Sequence, residues 1–232
     1  MKLAVIGGGY FEQTDHFHLN QRLIELTGKH SPNVLFIPTA SNDDEDYIKD
    51  FRETFEKQLQ CDVHILRCIK ENPSEDTINE MIQFADLIYL GGGNYINMLE
   101  KWKEYKIDEK LLAALHNETF IAGYSSGAMC WFTTGLRSHY KGDGYLESDG
   151  WNIINKHFCP HYNQPDRATA FHLFLQNHAN NTDGIALEDN CALYITEHSF
   201  EIIGDPEKAW EFYIYDGKLM KHHFDVTLKS YL

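Results

Sequence analysis

The segment F-I-A-G-Y-S-S-G-A-M-C at 120–130 constrains the fold of this chain more than any other. Within it, Gly123-Tyr124-Ser125-Ser126-Gly127 matches G-x-S-x-G, the pattern of a nucleophile elbow, in which a strand turns sharply into a helix. An apolar run leads in and small residues follow, as such a turn requires. Side chains at the two glycine positions would collide where the backbone folds back. Glycine there lets Ser125 sit at the tip in a strained geometry, and Ala128 lets the new helix lie close to the sheet. The simplest alternative is a serine capping an ordinary strand-to-helix loop. Ser126 is the internal rival as nucleophile, but its position points to the helix N-terminus.

The rest of the first half has the texture that such a turn needs. Short apolar runs at 3–6, 34–38, 63–66, 87–90 and 119–122 alternate with amphipathic stretches at 18–26, 47–58, 76–84, 97–105 and 108–116. This is the signature of parallel strands buried on both faces by crossover helices. In 47–58, Tyr47, Ile48, Phe51 and Phe55 recur at helical spacing and define one face that can cover a sheet. After about Gly184 the texture changes to near-alternating runs at 192–195, 200–203 and 210–215. Asp216-Gly217 is a strong hairpin turn, so antiparallel strands are expected to extend or flank the main sheet. Nothing repeats and no linker-like tract appears, so one α/β domain over 1–232 is expected.

Composition excludes several classes. With 43% hydrophobic and 24% charged residues the chain is globular rather than disordered or fibrous. Its net charge of -15 repels phosphate backbones and anionic membranes, and no basic cluster opposes that field, so neither nucleic acid nor membrane is an expected partner. An anionic small substrate would need a specific cation in its pocket. The apolar run before Gly7-Gly8-Gly9 is too short for a secretory segment, and no window approaches the roughly 18 apolar residues of a membrane span. The five cysteines, Cys61, Cys68, Cys130, Cys159 and Cys191, are odd in number and scattered. That pattern suits reduced thiols, and a cytoplasmic location is expected. Nothing in the sequence opposes a homodimer.

Two further features bear on chemistry. Gly91-Gly92-Gly93-Asn94 follows an apolar strand, and parallel strands end on the same side of a sheet, so this loop and the Ser125 turn can meet. Backbone N–H groups of Gly92 and Gly93, with that of Ser126, are candidates for an oxyanion hole. Neither glycine cluster completes G-x-G-x-x-G, since Ile96 and Glu12 stand where the third glycine belongs, so dinucleotide binding is not expected. Ser125 also needs a base. Thirteen histidines are available, so abundance selects none. His161, after an apolar run and the rigid Pro160, is one candidate for a strand-end position. His157 and His161 have metal-like spacing, but Pro160 between them disfavours the helix that would align them. The acidic run 43–46 reads as a solvated loop entering a helix N-terminus, with a metal site as the alternative.

Taken together, G-G-G-N at 91–94, A-G-Y-S-S-G-A at 122–128 and C-P-H-Y at 159–162 resemble, in order and approximate spacing, the peptidase E and cyanophycinase family of serine peptidases. I-P-T-A at 37–40 resembles a further family segment, and the likeness spans roughly residues 1–196. The resemblance implies a fold like the class I glutamine amidotransferases: a three-layer α/β/α sandwich around a mainly parallel sheet, here with antiparallel strands near the C-terminus. It implies Ser125 as nucleophile, His161 as general base and Glu188 as the acid that orients the histidine, with Asp189, Asp149 and Asp143 as rivals. Peptidase E-like enzymes remove an N-terminal aspartate from short peptides, and Arg167 matches the arginine thought to hold its carboxylate. Arg167 and Asn94 are thus the candidate substrate-binding residues. The alternative for Arg167 is a surface position near a helix start. The chain departs from the family in the short loop from His161 to Arg167, in Phe171 where a second basic residue is expected, and in Ser126 where alanine is usual. The implied reaction proceeds through an acyl-enzyme and needs no metal or organic cofactor.

Two other readings share these residues. An α/β-hydrolase esterase uses the same elbow but takes its base last in the chain, which would require His198, His222 or His223. A non-catalytic binding module on the same fold would leave Ser125 unreactive.

Overall fold

In a computed structural model, described for residues 1–225 except 12, 140–141 and 179–182, the strands form two sheets. The main sheet contains β1 (Lys2–Ile6), β2 (Asn33–Ile37), β3 (Asp62–Ile65), β4 (Leu87–Leu90) and β5 (Phe120–Tyr124), all mutually parallel where they pair. The second sheet contains β6 (Phe132–Ser138), β7 (Tyr145–Asp149), β8 (Ile154–Cys159), β9 (Gly184–Leu187), β12 (Ala209–Tyr215) and β13 (Lys218–His223). The remaining pair, β10 (Cys191–Thr196) and β11 (Phe200–Gly204), adds to the edge of β1 as antiparallel strands.

Two-residue periodicity sends alternate side chains of the main sheet to opposite layers. Leu3, Val5, Leu35, Ile37, Ile88 and Leu90 face one buried cluster, with residues of α3 (Glu75–Phe84), α4 (Tyr95–Glu104) and α5 (Ile107–His116). Ala4, Ile6, Val34, Phe36, Leu87 and Tyr89 face the other, with α1 (Thr14–Leu26) and α2 (Glu45–Arg52). In that second layer Phe36, Phe51 and Phe55 stack in succession, with ring centroids 4.0 and 4.2 Å apart. Burial of each ring contributes about 2–3 kcal/mol. The face expected over 47–58 is therefore present, although its last turns, Glu53–Gln58, are wound as a π-helix.

The second sheet had no counterpart among the expected strands except in its C-terminal hairpin. Phe132, Phe158, Ile185 and Leu187 point from it into the main core. Leu136, Cys159, Ala186 and Phe212 point the other way, against Phe171, Phe174 and Leu175 of α7 (Pro165–Asn177). Phe171 is fully buried there, which explains its identity: it is a core residue of this layer and does not face a polar pocket.

The acidic run departs from expectation at one position. Asp44 caps α2, its carboxylate accepting from Tyr47 N–H at 2.8 Å. Asp43, however, is fully buried, and its Oδ2 accepts from the N–H groups of Ile69 and Lys70 at 2.6 and 2.9 Å. It anchors the loop after β3 rather than facing solvent. All five cysteines are buried and free. Among the described residues, no helix is long and apolar enough to cross a membrane, and no group of three His, Cys, Asp or Glu side chains could hold a metal ion.

Candidate active site

Strand order brings the chemistry-bearing turns together. β5 lies between β1 and β4, with Tyr124 opposite Ile6 and Gly123 opposite Leu90. The Gly7-Gly8-Gly9 turn and the Gly91–Asn94 loop therefore leave the sheet on either side of Ser125. Ser125 begins α6 (Ser126–Met129) with φ 51° and ψ -106°, a strained conformation for a residue with a Cβ. A Cβ on Gly123 would overlap the carbonyl of Gly127, so the turn closes this tightly only with glycine.

Ser125 Oγ lies 3.0 Å from His161 Nε2, and His161 Nδ1 lies 2.6 Å from Asp189 Oδ1. With the carboxylate accepting from Nδ1–H, Nε2 is left to accept the serine proton, a tautomer assigned from this hydrogen-bond chain. His161 follows β8 and Asp189 follows β9, parallel neighbours in the second sheet whose carboxyl ends meet those of the main sheet. Backbone hydrogen bonds tie the junction together: His161 N–H donates to Gly7 O and Asn190 N–H to Gly8 O, each at 2.9 Å. A side chain on Gly8 would overlap both the His161 ring and the Asp189 carboxylate, so the Gly7-Gly8-Gly9 turn clears the space in which that pair meets.

The carboxylate that meets His161 is that of Asp189, next in the chain to Glu188, the residue expected there. Glu188 turns away, and its Oε1 accepts from Trp210 Nε1–H at 3.0 Å. Alternation along β9 explains the choice. Glu188 continues the face of Ala186, which pairs with Trp210 on β12, whereas Asp189 continues the face of Leu187, toward the junction of the sheets. Asn163, which no motif marks, clamps Asp189 by donating to Oδ2 at 3.1 Å and accepting from its backbone N–H at 3.1 Å. Burial pushes the Asp189 carboxyl up, but the hydrogen bond and charge of His161, aided by Asn163, outweigh it and hold it below the usual carboxylate range. Neither Asp149 nor Asp143 bonds to His161 among the hydrogen bonds of the described residues. The Asp149 carbonyl instead accepts from Tyr95.

Ser125, His161 and Arg167 line one cavity of about 500 Å³, together with Gly93, Asn94 and Ser126. Of the candidate oxyanion-hole residues, Gly93 and Ser126 border it. Gly92 differs: it does not line the cavity, and its N–H is directed to the Tyr47 hydroxyl at 3.4 Å. Ser126 is buried and donates its hydroxyl to Gly93 O at 2.7 Å, which fixes the two loops together and leaves Ser125 as the serine facing the imidazole. Asn94 caps α4 through its side-chain oxygen, which accepts from Asn97 N–H at 3.2 Å. Arg167 is not a surface residue: it is only 6% exposed, donating to Leu136 O at 3.1 Å and Ser138 Oγ at 2.8 Å. The bases an esterase order would require are elsewhere. His198 is exposed beside Glu197, His222 pairs with Glu211, and His223 stacks on Trp210.

Behind the site, His16 is fully buried with its ring edge-on to Tyr124. Burial lowers its pKa to about 4, against a weaker opposing effect of Asn190 and Asp189. Because the folded value lies below that of the unfolded chain, the unfolded chain binds the extra proton between about pH 6.5 and 4, and stability falls as pH is lowered through that window. The loss from this group is about 3 kcal/mol between pH 7 and 4. In urea denaturation at those two pH values, His16→Met is expected to show a smaller acid loss than the parent; an equal loss would contradict this assignment.

The family model for peptidase family S51 matches residues 3–203. The chain is 34% identical over 209 residues to an uncharacterized peptidase, YgaJ, of Bacillus subtilis (strain 168), covering 89% of this chain and 88% of that protein. Among solved structures it resembles a peptidase from an acI-B1 Actinobacterium, with a TM-score of 0.62, 20% identity and 96% of each chain covered. It also resembles a putative peptidase E protein from Listeria monocytogenes EGD-e, with a TM-score of 0.66, 18% identity and coverage of 88% of this chain and 98% of that one. At these identities the two structures speak to the fold, which they share: helices packed around a mostly parallel sheet, with added antiparallel strands.

Proposed function

This chain belongs to peptidase family S51, and from that premise we propose that it is a serine peptidase acting on short peptides, with Ser125 as nucleophile, His161 as general base and Asp189 as the orienting acid. The observation that carries the reading is the continuous contact from Ser125 Oγ through both nitrogens of His161 to Asp189, at 3.0 and 2.6 Å, opening on a cavity that also holds a buried arginine.

In this mechanism Ser125 Oγ attacks the peptide carbonyl as its proton passes to His161 Nε2. The Asp189 carboxylate keeps Nδ1 protonated and stabilises the imidazolium that forms. Negative charge developing on the carbonyl oxygen is met by the N–H groups of Gly93 and Ser126, the latter at a helix start where the first amides have no intrahelical acceptor. His161 then returns the proton to the leaving amine. Water, deprotonated by the same imidazole, attacks the acyl-enzyme, releases the acid and restores Ser125. This chemistry draws only on side chains and backbone amides.

For specificity, the Arg167 guanidinium receives the side-chain carboxylate of an N-terminal aspartate. In a chain of net charge -15, an anionic residue enters such a cavity only against a fixed cation. The test is a panel of dipeptides differing in the first residue, with aspartate, asparagine or leucine. Wild type is expected to prefer aspartate by about 100-fold or more in kcat/KM, since a site built for a charge leaves buried donors unpaired with a neutral residue. Arg167→Lys and Arg167→Gln should both lose that preference, the second more completely. Equal losses on the leucine substrate would remove Arg167 from recognition and mark it as structural.

A further inference from the structure

The cavity holds a second guanidinium that the sequence did not single out. Arg137, half-buried on β6, lines it together with Arg167. Both arginines hydrogen-bond to Ser138, Arg167 through its hydroxyl and Arg137 through its carbonyl. Arg167 donates to Leu136 O and Ser138 Oγ, while Arg137 donates to Ser138 O at 3.5 Å and to Ser148 Oγ at 2.8 Å. The two like charges are thus held on either side of Ser138.

Their partners set them apart from the other arginines. Arg22, Arg52 and Arg67 each meet a carboxylate, at 2.8, 2.6 and 2.9 Å. Among the described residues neither Arg137 nor Arg167 forms an ion pair, although acidic residues outnumber basic ones 35 to 20. The Arg167 Nε is moreover buried without a hydrogen-bond partner. Two guanidiniums that line one cavity repel each other, and leaving a buried donor unmatched carries a penalty. Both are relieved by anionic groups brought in from outside.

We infer that Arg137 is a specificity-determining residue that binds a second carboxylate of the substrate, so that the preferred peptide carries one acidic group for Arg167 and another for Arg137. The inference rests on the peptidase reading above and adds to it a second anionic subsite. Its location suits the part of the peptide beyond the first residue. Arg137, Asn42, Asn94 and His139 line both the Ser125 cavity and the groove that continues from it, whereas Arg167 lines only the former. The second carboxylate has two sources, the C-terminal carboxylate of a dipeptide or an acidic side chain at the second position.

Equilibrium binding to the full chain carrying Ser125→Ala, measured by calorimetry, separates these sources without turnover. The probes are Asp-Leu, Asp-Leu amide and Asp-Asp amide. Either dicarboxylate is expected to bind about 10- to 100-fold more tightly than Asp-Leu amide, and the probe that shows the gain identifies the source. Adding Arg137→Gln should abolish the gain while changing Asp-Leu amide binding less than about twofold; Arg137→Lys should keep part of it, in a manner weakened by salt. If the second carboxylate confers no gain, or the gain survives Arg137→Gln, the inference is wrong. Dicarboxylates that bind through Arg137 to a protein whose wild type hydrolyses no peptide would leave this subsite standing and remove the peptidase reading instead.

Discussion

Ser125→Ala is expected to lower kcat/KM on the best peptide substrate by about 10⁴- to 10⁶-fold, while changing folding stability by less than about 0.5 kcal/mol. The two effects separate because the hydroxyl contributes little to packing. Alanine can hold the same positive-φ turn that the surrounding glycines permit, and the backbone bond from residue 125 N–H to Ile6 O remains. What disappears is the atom 3.0 Å from His161 Nε2. Residual activity would come from water attack on a substrate still held by the oxyanion donors and the cavity. Steady-state kinetics with a urea melt on each protein checks both halves. A loss of under tenfold would point to another nucleophile, and Ser126→Ala would then be the control. Ser126 already donates its hydroxyl to Gly93 O, so its removal should loosen the loop contact without matching the Ser125 effect.

The second large effect distinguishes two adjacent carboxylates. Asp189→Asn is expected to reduce kcat by about 10³- to 10⁴-fold, because the amide can offer an N–H to Nδ1 and favour the tautomer in which Nε2 carries a proton and cannot accept another. Glu188→Gln should change kcat by less than about threefold, since its carboxylate bonds to the Trp210 indole on the other face of β9. Measured side by side, the pair tests position rather than charge, as both changes remove one negative charge from neighbouring residues. A larger loss from Glu188→Gln than from Asp189→Asn would reverse the assignment.

These two residues also mark where sequence ends as a guide. The main sheet was legible because its strands are continuous apolar runs, and Leu3, Ala4, Val5 and Ile6 fill cores on both faces. The Ser125 turn and the Gly91–Asn94 loop were legible because tight turns demand glycine, and adjacent parallel strands deliver them to one edge. Which of Glu188 and Asp189 reaches His161 depends on the face on which β9 ends, and alternation gives that only once the pairing of Ala186 with Trp210 is known. The second sheet was harder to read. Its β7 reads Y-L-E-S-D with mostly exposed side chains, and the pairing of β6 with β8 shifts register between Phe132 and Thr134. Arg137 lies on that irregular strand and carries no motif, so only the topology brings it beside Ser125. The Gly7–Gly9 cluster is visible in the sequence but fits no nucleotide turn, and the crowding at Gly8 supplies its reason.

Activation of the Ser125 hydroxyl by His161 is read out by a fluorophosphonate probe, followed by intact mass and peptide mapping. One adduct per chain is expected, located on Ser125, absent from Ser125→Ala and strongly slowed in His161→Gln. A folded wild-type protein that forms no adduct, or one whose adduct persists in Ser125→Ala, would contradict it.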